Sequence, residues 1–84
     1  MYNYQEQKKY LFTEEGQVVF LKVRDKVKEL LEIAGAVQII NVINNMSGDG
    51  WLFLACFDRL LELKEITEIK NTRNSAAQYR IFIK

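Results

Sequence analysis

After Lys64 the hydrophobic period of this chain changes from 3.6 residues to 2, and no other feature limits the fold as much. Before it, Val19, Phe20, Val23, Val27, Leu30, Leu31 and Ala34 recur at three- and four-residue spacing. They make one apolar stripe along a helix that starts at Glu14 or Glu15 and ends at Ala34. Thr13 is placed to cap that start, Gly35 to end the helix in a left-handed turn, and Gly16 weakens the first turn. Beyond Lys64, ITEIK (66–70) alternates, NTRNSAA (71–77) is polar, and QYRIFIK (78–84) alternates again. Two strands joined by a loop are expected there, an antiparallel hairpin lying against the helices because it would be marginal alone.

Between these regions, Ala36 and Val37 read as a brief extended link and 38–45 as a short helix with Ile39, Ile40, Ile43 and Met46 inward. Asn44, Asn45, Ser47, Gly48, Asp49 and Gly50 form the strongest breaker cluster, with Asp49 as the N-cap of a helix over 51–63. Phe53, Cys56, Phe57, Leu60 and Leu63 are its expected core stripe; Leu52, Ala55, Asp58, Arg59 and Glu62 look outward. Residues 1–12 are expected to be a partly ordered arm, with Tyr10, Leu11 and Phe12 packed on the body and 1–7 looser.

Eighty-four residues, 49% of them hydrophobic, fit one globular domain over 1–84. Asp58 and Arg59 interrupt the longest apolar run before it reaches the ~18 residues of a membrane span. The segment MYNYQEQKKY has no apolar core behind a basic flank, so no signal peptide, no membrane and a cytoplasmic location are expected. The chain has no histidine and one cysteine, Cys56, which removes the commonest general base and zinc ligand and any intrachain disulfide. SGDG (47–50) lacks the lysine and serine of a phosphate-cradling loop, and the scattered carboxylates show no catalytic spacing. The expectation is therefore a non-enzymatic protein without cofactor or metal.

The order long helix, link, short helix, glycine turn, helix, hairpin resembles the winged helix-turn-helix family. FDRLLELKEITEI followed by QYRIFI carries the resemblance most strongly, with Leu60, Leu63 and Ile66 leading from helix to wing, and GAVQII is similar to the junction of the family's first two helices. The resemblance covers about residues 14–83 and implies an α+β fold of three helices followed by a C-terminal β-hairpin, with DNA binding through the third helix and a basic wing. The family's glycine before the first wing strand is replaced by Lys64 and Glu65, and the third helix would show DNA Trp51, Leu52, Ala55, Asp58 and Arg59.

Two functions stay open. For double-stranded DNA, as in a transcriptional regulator, the candidates are Arg59, Lys70, Arg73 and Arg80, since no acidic residue follows Glu68. As a homodimer or protein-interaction module, the chain would use the apolar surface of helix 51–63 with Trp51 and Leu52, joined by Tyr4 and Tyr10 of the aromatic arm. Each of these residues also has an ordinary structural role open to it, in the core or on a solvated face.

Overall fold

In the computed structural model, which describes residues 1–69 and 80–84, the chain opens with a helix where an arm was expected. The side chain of Asn3 accepts the backbone N–H of Glu6 at 3.3 Å, and α1 (Tyr4–Leu11) follows. Among the described residues six further elements come in order: α2 (Glu14–Ala34), β1 (Ala36–Gln38), α3 (Ile39–Ile43), α4 (Gly50–Glu62), β2 (Thr67–Ile69) and β3 (Ile81–Ile83).

Local chemistry sets most of the boundaries. Thr13 accepts the N–H of Gly16 at 2.9 Å and starts α2; Gly35, at φ 79°, ends it by donating to the Leu31 carbonyl. Asp49 caps α4 through the N–H of Trp51 at 2.9 Å. At the other end of α4, Lys64 takes φ 61° while Lys64 and Glu65 donate back to the Leu61 and Leu60 carbonyls, each at 3.0 Å. That paired return is a Schellman motif, built on a lysine where glycine would adopt the left-handed backbone without strain.

The expected architecture of three helices and a C-terminal two-stranded hairpin is overturned. Among the described residues there are four helices and a three-stranded open sheet of order β1-β3-β2. The link after α2 is a strand. Its partner is β3, antiparallel, with Ala36 opposite Ile83, Val37 opposite Phe82 and Gln38 opposite Ile81. β2 pairs with the other side of β3, setting Glu68 opposite Phe82. The domain is thus a small α+β unit whose last strand is the centre of its sheet.

The core lies between α2, α4 and the face of the sheet that carries Val37 and Phe82. Phe57 of α4 and Phe82 of β3 are fully buried with ring centroids 5.0 Å apart. Phe20, Val23 and Val27 are buried from the α2 stripe, as their spacing requires, while Val19, Leu30 and Leu31 pack at its margin and Ala34 is exposed.

α1 turns back against α2 at a tight corner. The hydroxyl of Thr13 donates to the Tyr10 carbonyl at 2.8 Å, and the Gln17 amide donates to the Leu11 carbonyl. Gly16 is buried at this point. A Cβ there would stand 1.9 Å from the Tyr10 carbonyl oxygen and 2.8 Å from the Leu11 Cα.

Candidate functional site

The side of α4 expected to face outward is the seat of α1. Ala55, which a DNA-reading helix would present to a groove, is completely buried. Around it the Tyr2 hydroxyl donates to Asp58 at 2.6 Å, and the Tyr4 hydroxyl and the Lys8 ammonium both donate to Glu62 at 2.9 Å. Arg59 donates to the same Glu62 carboxylate at 2.6 Å, and its guanidinium sits over the Phe12 ring, 5.4 Å from the centroid. A third of the way round the helix, Phe53, Cys56, Phe57 and Leu60 fill the core. Most of the apolar surface of α4 is therefore used inside the molecule.

The electrostatics follow from these contacts. Hydrogen bonds from Lys8, Arg59 and Tyr4 hold Glu62 at about 2, well below an ordinary glutamate. Burial, then the bond to Asp58, raises the Tyr2 phenol, and burial with the bond to Glu62 does the same for Tyr4. Burial alone pushes the Cys56 thiol up to about 12, so it remains a protonated packing group.

Glu62 predicts a pH dependence. A carboxyl depressed in the folded state stabilises fully above its unfolded value near 4.5, and that contribution is lost as pH falls toward about 2. The urea midpoint is expected to fall between these pH values, whereas Glu62→Gln starts lower at neutral pH and falls less. Parallel curves for the two proteins would show that Glu62 does not hold α1 down.

Of the basic residues singled out for DNA, Arg59 is committed to Glu62 and Phe12 as above. Arg80 donates to Glu68 through Nε and Nη2, each at 2.9 Å, and to Asp58 at 2.8 Å. Burial works against its charge, yet the bonds to Glu68 and Asp58 outweigh it and raise its pKa above that of a free arginine. Asp58 thereby ties Tyr2 ahead of α1 to Arg80 ahead of β3. Lys70 and Arg73 lie outside the described residues. The structure therefore brings Arg59 and Arg80 into intramolecular networks and forms no shared cationic face from them.

Of the protein-contact residues, Leu52 and Tyr4 are half-buried, while Trp51, in the first turn of α4, and Tyr10, in the last turn of α1, are exposed; Tyr10 and Leu52 border one concavity of about 590 Å³. No family model, no curated protein and no solved structure gives a significant match to this chain. What the domain does must therefore be read from its own surface. Among the described residues, no group of three or more His, Cys, Asp or Glu is gathered for a metal, and no helix is long and apolar enough to cross a membrane.

That surface has an uneven distribution of apolar side chains. Nine large hydrophobics are exposed among the described residues, and five of them, Tyr10, Phe12, Val18, Leu21 and Leu63, surround the α1–α2 corner. Phe12 and Gln17 border two concavities at once: one of about 180 Å³ that reaches Leu63, and one of about 510 Å³ that reaches Val18. Leu21 continues the patch one helical turn beyond Val18. Val18 and Leu21 are apolar residues on the otherwise polar side of α2, and that is the signal that marks them in the sequence. Leu63, expected in the core, is 42% exposed because α4 has ended at Glu62 and the chain turns away there.

Proposed function

We propose that this domain is a protein-interaction module whose partner is a second copy of itself, joined through the outer face of α2 at the α1–α2 corner. The observation that carries this reading is the cluster of Phe12, Val18 and Leu63, linked through the two concavities that Phe12 borders, with Leu21 one helical turn beyond Val18, all four exposed by 42–59%. Its charges suit a copy of the same chain. Glu14 and Glu15 stand one turn before Val18, Lys22 one turn after, and among the described residues none of the three has an ion-pair partner. Two α2 helices crossing antiparallel near Val18 set the Glu14–Glu15 end of each against Lys22 of the other. A two-fold arrangement makes that match twice, as isologous contacts require.

The patch is small beside the ~800 Å² per partner of a standard interface, so a dimer in rapid exchange at micromolar concentrations is expected. Sedimentation equilibrium should show the mean mass rise with concentration for the parent chain and stay monomeric for Val18→Asp. Lys22→Glu should weaken association, and adding Glu15→Lys in the same chain should recover it. A monomer at every concentration, or a dimer indifferent to Val18→Asp, would remove the proposal.

Nucleic-acid contact is a second reading, favoured by one observation: every charged residue after Glu68 is basic. It would fall to Lys70 and Arg73, with Arg80 already paired. Anisotropy of labelled duplex DNA that rises with protein, falls with salt and is lost in Lys70→Ala/Arg73→Ala would support it; no binding at low salt would end it.

A further inference from the structure

We infer that a separate cavity between α2 and the start of β2 is a binding site for a small amphipathic anion, a medium-chain carboxylate in its simplest form. The cavity measures about 410 Å³, within the ~300–1,000 Å³ range of small-molecule sites, and lies farther along α2 than the α1–α2 corner. Its floor is apolar: Val27, Leu31, Leu60 and Ile66 line it, three of them being core residues. Its rim is charged: the side chains of Arg24, Lys28 and Lys84 stand on it with those of Glu32 and Glu65.

The pairing on that rim leaves donors to spare. One oxygen of Glu65 serves both Arg24, at 3.1 Å, and Lys28, at 3.8 Å. The second contact is long for an ammonium–carboxylate bond, so Lys28 has donors to offer elsewhere. Lys84 has no ion-pair partner among the described residues. An alkyl chain lying on Leu31 and Val27 would bring its carboxylate to Lys28 and Lys84, while a cationic head group would find Glu32 alone unpaired among the described carboxylates of the rim, with both lysines beside it. The apolar floor supplies affinity for the chain and the lysines select the sign of its head.

Octanoate, octanol and octylammonium, titrated into the full chain labelled for heteronuclear NMR, test this directly. Octanoate is expected to shift amides of residues 24–32 and 65–66 in a saturable way, with octanol weaker by about tenfold or more and octylammonium weaker still. Lys28→Ala/Lys84→Ala should cut octanoate affinity by about tenfold or more and leave the weak octanol response unchanged. Because both lysines are surface groups, the spectrum of the free variant should otherwise match the parent. The inference is overturned if octanoate gives no saturable shift at millimolar concentration, if octanol binds equally well, if the double variant binds as the parent does, or if the shifts centre on another surface. Val18→Asp, which tests self-association, should leave octanoate binding intact, so the two proposals fail separately.

Discussion

Gly16→Ala is expected to lower the thermal midpoint by about 10 °C or more, although the same substitution in an exposed helix would raise it. Alanine is worth about 1 kcal/mol more than glycine inside a helix, so the propensity effect favours the variant. Packing opposes it. The new Cβ would sit 1.9 Å from the Tyr10 carbonyl oxygen and 2.8 Å from the Leu11 Cα, and both are backbone atoms that no rotamer change can move aside. Relief requires α1 to shift off α2, which costs the burial of Leu11, about 1.5–3 kcal/mol, and loosens the Thr13 and Gln17 bonds at the corner. Clash and lost burial together exceed the propensity gain by about 2 kcal/mol, and each kcal/mol moves the midpoint of a domain this size by about 4–8 °C. Calorimetry decides the matter. A midpoint equal to or above that of the parent would mean that α1 is not packed against α2 as described.

Phe57→Ala is expected to abolish cooperative folding at 37 °C, whereas Phe57→Leu survives. Phe57 is completely buried and stacks on Phe82, itself completely buried, so truncation opens a cavity between α4 and the central strand. Such a change costs about 3–5 kcal/mol. A chain of 84 residues has a total stability of about 4–13 kcal/mol, and toward the lower end, where so small a core places it, most of the margin would go. Leucine keeps the site apolar and most of its volume, at a cost of about 1.5 kcal/mol or less. Urea unfolding followed by circular dichroism should show a steep transition for the parent and for Phe57→Leu. An alanine variant with a transition close to the parent's would place the centre of the core elsewhere.

What could be read in the sequence was what depends on near neighbours. The α2 stripe, its Thr13 cap and its Gly35 stop define a helix whose observed limits are Glu14 and Ala34. The breaker cluster and Asp49 placed the start of α4 to within a residue. The first helix was also written locally, in Asn3 followed three residues later by Glu6, a capping signature that the aromatic composition of 1–12 obscured. β1 was not legible, because Ala36–Gln38 becomes a strand only by pairing with Ile81–Ile83 far along the chain. The same distance explains Ala55. It looks outward on the helix that carries it and is buried only because another helix arrives from the opposite end of the sequence. Arg59 meets Glu62 three residues on, a pairing its own helix announces, whereas Arg80 reaches Asp58 and Glu68 from far along the chain, where nothing local announces it.

The placement of β3 has a consequence for how the chain is made. Among the described residues each outer strand has three residues and pairs with β3 alone, and β3 leaves the ribosome after both of them. While the ribosome is still at work, Ala36–Gln38 and Thr67–Ile69 emerge with neither of them able to close a ladder. Val37 and Phe57 wait for Phe82 without a cover. The helices can gather early, since their contacts are formed from what has already left the exit tunnel, but the sheet assembles in a single late event. A nascent chain stalled before Ile81 is therefore a helical body with an open apolar flank, the form in which this protein is most exposed to chaperones, proteases and its own neighbours.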